Sequence, residues 1–375
     1  MPSRGPLIAE LETPRALRHF GTGWYAGLFA LLLAVAGLGL VLALRFPGEL
    51  ATPELAVIYQ SAILRPAVHG LIMTSWVLAV VSLLLGRFRF MGLVALGLAL
   101  VSSLIGTGAV GSGPAGRKGL FFGLDFFIVN LALSGLMLAP LERLWPHIRE
   151  QRLFRPEWQV DLVYFLISSM LVQVVAFVTF GPSRLVLAHT AGLEGLHAAV
   201  AGLPWLVQVL VIMLCTDILQ YWLHRAFHRV PWLWRFHVIH HSARAMDWLA
   251  GSRLHFVEIA VVRGLTTLPM FTLGFEPAAV QAYVAVVYVH SALIHANIGG
   301  ERDWLGHVVA TPRYHHWHHA SDPEAVDRNF AIHFPLIDKL FGTFHLPAGR
   351  WPSGYGVSEP VPTGWWPQFA LPWRR

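Results

Sequence analysis

Six stretches of this chain run for about twenty residues or more with almost no charge: Trp24–Phe46, Leu55–Gly86, Met91–Val110, Leu120–Pro140, Val160–Phe180 and Trp205–Leu223. About 20 apolar residues in a helix cover about 30 Å of hydrocarbon, and a helix satisfies its own backbone hydrogen bonds where no water is present. Two weaker stretches follow. Phe256–Leu273 is interrupted by Arg263 and Pro269, and Ala278–His295 carries His290 and His295. They read as membrane-immersed or half-buried helices. Only 13% of the 375 residues are charged and 55% are hydrophobic, whereas soluble domains carry roughly 25% charged residues. The expected fold is all-α: a polytopic membrane helical bundle with a cytoplasmic helical cap. The first apolar run is longer than the 7–15 residues of a signal peptide's core and no small-residue cleavage site follows, so it is expected to remain as a span.

The net charge is +6. The positive residues sit in loops between the apolar runs, so they set orientation and give no reason to expect nucleic acid as a partner. Arg4, Arg15 and Arg18 precede the first run, Arg87 and Arg89 follow the second, and Arg143, Arg149, Arg152 and Arg155 follow the fourth. If the first five spans alternate, these loops share one side. The loops between them are poorer in Lys and Arg, so the N-terminus is expected to be cytoplasmic. Counting through the sixth span puts the segment "HRAFHRVPWLWRFHVIHH" on the same side. The single cysteine, Cys215, excludes an intramolecular disulfide framework and a cysteine-based metal site.

The histidines are the chain's second constraint. His224 and His228 are four apart. His237, His240 and His241 follow as HxxHH, and His315, His318 and His319 repeat that spacing, with His316 extra. On a helix, positions i, i+3 and i+4 share a face, whereas His316 at i+1 from His315 points away. Eight imidazoles exceed what one ion uses, since zinc sites normally take four ligands. The spacing therefore points to a two-metal centre, and cysteine-free imidazole coordination suits Fe, Zn, Cu or Ni. A lone i, i+4 pair is more often structural; three clusters within about a hundred residues are not. His19, His147, His189, His197, His307, His333 and His345 lack such company and read as loop or interfacial residues.

The segments "DILQYWLHRAFHRVPWLWRFHVIHHS", "GSRLHFVE", "HANIG", "TPRYHHWHHASDPEAVDRNFA" and "LIDKLFGTFHLP" resemble, in order and spacing, the fatty acid hydroxylase / sterol desaturase superfamily over roughly Asp217 to Pro347. The resemblance implies an integral membrane oxidoreductase, in the inner or cell membrane or one of ER type. It would have a di-iron centre facing the cytosol, O₂ as co-substrate and a lipid substrate. His224, His228, His237, His240, His241, His315, His318 and His319 would be the site residues. His295 is the best-matching further ligand, with His255 and His290 weaker. Zinc could replace iron in purified samples. A lipid C–H has no acidic proton and no leaving group, so a redox metal suits it. Imidazole ligands withstand oxidation where thiolate would not. Asp217, Glu258, Asp322, Asp327 and Asp338 are candidates to orient the imidazoles, and Asn329 and Trp317 could shape the site.

Hydroxylation and desaturation begin with the same hydrogen abstraction, so a desaturase stays open. A zinc metallohydrolase wants Glu within HExxH, but the i, i+4 pair here is "HRAFH" with Arg225 in the way. A metal transporter would place its ligands near the midplane of the spans. The expected organisation is an N-terminal bundle over 1–159, a catalytic domain over 160–350 and a Pro/Trp-rich tail over 351–375. His69, beside Arg65 in an apolar span, is the one polar oddity of the N-terminal part; a bundle histidine could ligate haem, but no clear second axial histidine accompanies it, so a helix contact or a frame for a lipid pocket is expected. No ferredoxin-like or cytochrome b5-like domain is visible, so electrons are expected from a separate donor of one of those types.

Overall fold

The computed structural model describes residues 5–50, 56–59, 61–108, 124–130, 134–135, 137–170 and 192–374. Among the described residues there is no β-strand, only two isolated bridges, Pro146 with Ile298 and Ala320 with Tyr355. Among the described residues, four helices are long and apolar enough to cross a membrane: α1 (Trp24–Arg45), α2 (Leu64–Leu85), α4 (Trp205–Arg229) and α7 (Pro277–His295). α3 (Phe90–Ile105) is a shorter apolar helix.

The departures from the apolar runs have local causes. Within the second run a short helix, Ala56–Tyr59, precedes the long one, which starts at Leu64 with Pro66 in its first turn. The third ends at Ile105, where Gly106 takes a left-handed φ of 69°. The run Phe256–Leu273 breaks into α6 (Phe256–Thr266) and a five-residue helix, Leu268–Thr272, with Pro269 in its first turn. Ala278–His295 is one continuous helix, α7, despite its two histidines. Of Leu120–Pro140 and Val160–Phe180, the described parts are helical at Leu124–Asn130, Met137–Leu144 and Trp158–Met170; the remainder lies outside the described residues.

The chain divides into two compact units. The first comprises Met1–Arg143, Ile148–Arg155 and Ser169–Gln173. Its α1, α2 and α3 pack through small residues, with Ala30, Ala34, Ala79 and Ala95 in one buried cluster. Small side chains let helices approach closely where no hydrophobic effect drives them together. Serine hydroxyls cross the gaps: Ser75 donates to the Ala30 carbonyl at 2.8 Å and Ser82 to the Gly23 carbonyl at 2.9 Å. The Glu10 carboxylate accepts from the backbone N–H groups of Arg89, Phe90 and Met91 and so caps α3. His69 lies on α2 with its Nε2 3.5 Å from the Thr107 hydroxyl, and it joins no metal-ligand group among the described residues.

The second unit comprises Leu144–His147, Pro156–Ser168 and Val174–Arg375. α4 runs through it, flanked by α5 (Pro231–His241), α6 and α7; α8 (Pro312–His318) packs on α7. Two buried carboxylates organise the loop beyond α8. Asp217 accepts from the backbone N–H groups of Ile332, His333 and Phe334, and Asp338 from those of Phe330 and Ala331. The tail is not irregular throughout. It forms α9 (Trp365–Ala370) and a short turn of helix, Leu371–Trp373.

Candidate metal centre

α4 carries His224 and His228 one turn apart at its C-terminal end, beyond its apolar body. Val230 is extended and Pro231 restarts the chain as the first residue of α5. α5 then presents His237, His240 and His241. α7 ends on His295 itself. α8 begins at the Thr311 cap, whose hydroxyl accepts from the Tyr314 N–H at 3.3 Å. It carries His315 and His318, with His319 as its C-cap.

These nine histidines form two adjoining groups. His224, His228, His237, His241 and His318 make the first; His240, His295, His315 and His319 make the second. Within each, one ligand nitrogen per residue lies within 4.8 Å of all the others. Each HxxHH box divides in the same way. Its i and i+4 histidines enter one group and its i+3 histidine enters the other, as the roughly 100° between successive residues requires. The His241 and His319 rings, one from each group, stack with centroids 4.4 Å apart.

The hydrogen bonds fix which nitrogens are bare. His224 Nδ1 donates to the Phe330 carbonyl at 2.8 Å, and His237 Nδ1 lies 2.7 Å from Glu258 Oε1. His224 Nε2 then carries a lone pair and faces His237 Nε2 at 3.1 Å. In the second group His240 Nδ1 donates to the Arg253 carbonyl and His295 Nδ1 to the Ser291 carbonyl, and their Nε2 atoms are 3.3 Å apart. His315 Nε2 lies 3.1 Å from His295 Nε2. Facing lone pairs repel unless a cation lies between them. Two nitrogens each about 2.1 Å from one ion lie about 3.0–3.4 Å apart at octahedral to tetrahedral angles. The donor set therefore fits a metal centre.

Burial first, then crowding by neighbouring imidazoles, holds His237, His241, His315, His318 and His319 well below the ordinary histidine range; His240 follows suit. The rings are thus neutral at neutral pH, the form in which imidazole can bind a metal. Burial also pushes Glu258 up to about 8. A cation on His237 Nε2 would oppose that by favouring the charged carboxylate.

His255 and His290 fall outside both groups. His255 caps α6: its Nδ1 accepts from the Val257 N–H and its Nε2 donates to the Phe369 carbonyl. His290 sits one turn too early on α7 and bonds the Ala310 carbonyl and His333. His333, read as a loop or interfacial residue, lies in a loop and is fully buried against His290. His316 also stays out of the groups, but it is buried and bridges Tyr355 Oη at 2.8 Å and the His295 carbonyl at 3.2 Å. His189 lies outside the described residues.

Among the proposed orienting carboxylates, Glu258 meets His237, and Asp327 lies 3.4 Å from His228 Nδ1. Asp217, Asp322 and Asp338 meet backbone N–H groups, with Tyr314 and Thr343 also on Asp338. Asn329 binds the Tyr314 and His345 carbonyls, and Trp317 is buried with its indole N–H on the Arg350 carbonyl. Asp327 and Asn329 both take φ of 58°, a conformation Asp and Asn tolerate. They flank Arg328, whose carbonyl accepts from His318 Nδ1 at 2.7 Å. The orienting carbonyls of Phe330, Arg253, Arg328 and Ser291 carry no residue-type signal. Gly251 does: a Cβ there would stand 2.8 Å from His295 Nδ1. Arg253, fully buried, binds Asp161 through its Nε and Glu157 through Nη1, which holds the carbonyl on His240 in place.

Residues 209–343 match the family model described as fatty acid hydroxylase. The chain is 27% identical over 271 residues to an ornithine lipid hydroxylase of Rhizobium tropici, covering 70% of this chain and 81% of that protein. It is 27% identical over 141 residues to an alkylglycerol monooxygenase of Caenorhabditis elegans, covering 38% of this chain and 28% of that protein. It is 26% identical over 228 residues to a very-long-chain aldehyde decarbonylase of Oryza sativa subsp. japonica, covering 58% and 74%. No solved structure matches.

Proposed function

We propose, because residues 209–343 match the fatty acid hydroxylase family model, that this integral membrane protein is an oxidoreductase that hydroxylates an aliphatic C–H of a lipid with O₂ at a di-iron centre. The bare Nε2 atoms of His240 and His295, each with its Nδ1–H on a backbone carbonyl and 3.3 Å apart, carry this reading, because a cation between them relieves the repulsion of facing lone pairs. The relatives named as a hydroxylase and a monooxygenase favour hydroxylation over desaturation.

Histidines 224, 228, 237, 241 and 318 would hold one ion and histidines 240, 295, 315 and 319 the other. Iron so held supplies one-electron chemistry that activates O₂ toward unreactive C–H bonds. The protein's part is to fix each imidazole. Carbonyls of Phe330, Arg253, Ser291 and Arg328 lock four rings as Nδ1–H tautomers with Nε2 inward, and Glu258 does the same for His237. Burial of the rings keeps bulk water from the ligand nitrogens. Because the histidines stand at the ends of apolar helices, the site serves a substrate that stays in the membrane while O₂ and electrons arrive from the aqueous side. We place that side in the cytoplasm, by the Lys/Arg bias of the loops, with electrons from a separate ferredoxin- or cytochrome b5-type donor. Residues 160–350 would be the catalytic domain.

The test compares lipid extracts of cells with and without the protein, supplied with iron. A lipid heavier by one oxygen is expected. A lipid lighter by two hydrogens makes it a desaturase, and an unchanged lipidome in cells holding iron-loaded protein and a competent donor rejects both.

A further inference from the structure

Arg263 is the only Lys or Arg between Arg253 and Arg302. It lies on α6, which starts beside the metal centre at His255 and Glu258 and runs away from it. Five residues past Glu258, Arg263 is about 7.5 Å further along the helix. Its guanidinium meets α7: Nη1 is 3.4 Å from Tyr288 Oη, and the charged carbon lies 5.5 Å from the Tyr288 ring centroid. Tyr288 precedes His295 by seven residues, nearly two full turns, so it stands on the same face of α7, about 10.5 Å toward the apolar body of that helix.

The charge has no carboxylate among the described residues. Arg253 is matched by Asp161 and Glu157, and Arg313 by Glu301 and Asp303. Arg263, half-buried against α7, a helix long and apolar enough to cross a membrane, faces the Tyr288 phenol. An ionisable group at membrane depth is expensive unless something answers it, and a guanidinium presents a planar fork suited to carboxylate or phosphate.

We propose that Arg263, with Tyr288, receives an anionic carboxylate or phosphate of the lipid substrate, and that the oxidised carbon lies within about nine bonds of that group on its headgroup side. The bond count follows from about 3.5 Å of reach per three bonds of extended chain. Direction follows from placement. Tails remain along the apolar bodies of α4 and α7, the anion stops at Arg263, and what extends beyond it reaches the histidines. The proposal rests on the lipid-oxidising reading above, but recognition can be measured without turnover.

Purified full-length protein is incubated in detergent with phosphatidylglycerol, palmitate, diacylglycerol or hexadecanol, and retained lipid is read by native mass spectrometry, with iron content measured in parallel. Wild type is expected to retain phosphatidylglycerol or palmitate over the uncharged pair; which of the two is kept tells phosphate from carboxylate. Excess inorganic phosphate competing equally well would mean a free-anion site and overturn lipid recognition. Arg263→Gln is expected to lose that preference by about tenfold to a hundredfold, the value of charged hydrogen bonds, with unchanged iron content. Arg263→Lys should recover part of it. An Arg263→Gln protein with iron and an unaltered preference overturns the proposal. So does a product whose added oxygen lies at the far end of an acyl tail. A chain that retains anionic lipid through Arg263 yet oxidises nothing would instead overturn the enzymatic reading and leave the recognition site standing.

Discussion

Glu258 and Gly251 show how single residues serve the histidines without being ligands. Glu258 holds His237 through one buried contact of 2.7 Å, and losing such a partner typically costs 10–100-fold in metal affinity. Glu258→Leu is expected to weaken metal binding by about that much while the protein still inserts, as read by metal titration of purified protein. Gly251→Ala should also lower affinity, because its methyl would meet the His295 ring at 2.8 Å. An unchanged affinity would mean the α7 end yields freely. Burial keeps His237, His240, His241, His315, His318 and His319 neutral well below the usual range. With folded values below the unfolded value of about 6.5, these groups favour the folded state above that pH, and the advantage is lost as pH falls below it. Metal should therefore stay bound on dialysis at pH 6 and leave only in stronger acid; half-loss at pH 6.5 would contradict neutral, buried ligands. His316 was legible in part: the helical angle excluded it from the ligand face, but its burial between Tyr355 and the His295 carbonyl depends on distant chain that no local spacing reveals. His316→Ala should accordingly cost stability more than metal.

At the scale of elements, the three histidine boxes were legible because helical spacing alone brings i and i+4 together. The division of each box between two groups follows from the same angle, but it needs the opposing helix to become visible. The orienting carbonyls were not legible, since every residue has one. α7 read as weak because His290 and His295 lower its hydropathy. In the fold one of them joins a histidine group at the helix end and the other is satisfied by His333 and the Ala310 carbonyl. The tail, legible only as Pro/Trp-rich, packs on the histidine-bearing unit. Phe369 stacks on His255 with centroids 5.0 Å apart, Trp373 contacts Phe236, and Tyr355 reaches His316. His255 caps the helix that carries Glu258, so the tail bears on the centre through α6. Removing residues 351–375 is expected to lower both thermal stability and metal content; a truncated protein with full metal and unchanged melting would make the tail dispensable.

For the molecule as a whole, long apolar helices and a buried histidine centre divide the work. Each spanning helix closes its own backbone hydrogen bonds in lipid, so insertion should not need metal, and ligand variants should reach the membrane in normal amount. The two groups differ in reserve: five histidines in one, four in the other, where a site normally uses about four. Wild-type protein is expected to hold about two ions per chain. His318→Ala takes one ligand from the larger group and leaves four, so it should keep most of its second ion, bound more weakly. His315→Ala leaves the smaller group with three and should fall to about one ion per chain. Elemental analysis of the two membrane-inserted variants, after equal iron supplementation, separates the cases. Loss of both ions from either variant would mean that the groups bind as one interdependent cluster, the stacked His241 and His319 rings transmitting the loss. Equal retention by both would mean that His315 is no ligand and that its close approach to His295 Nε2 has another cause.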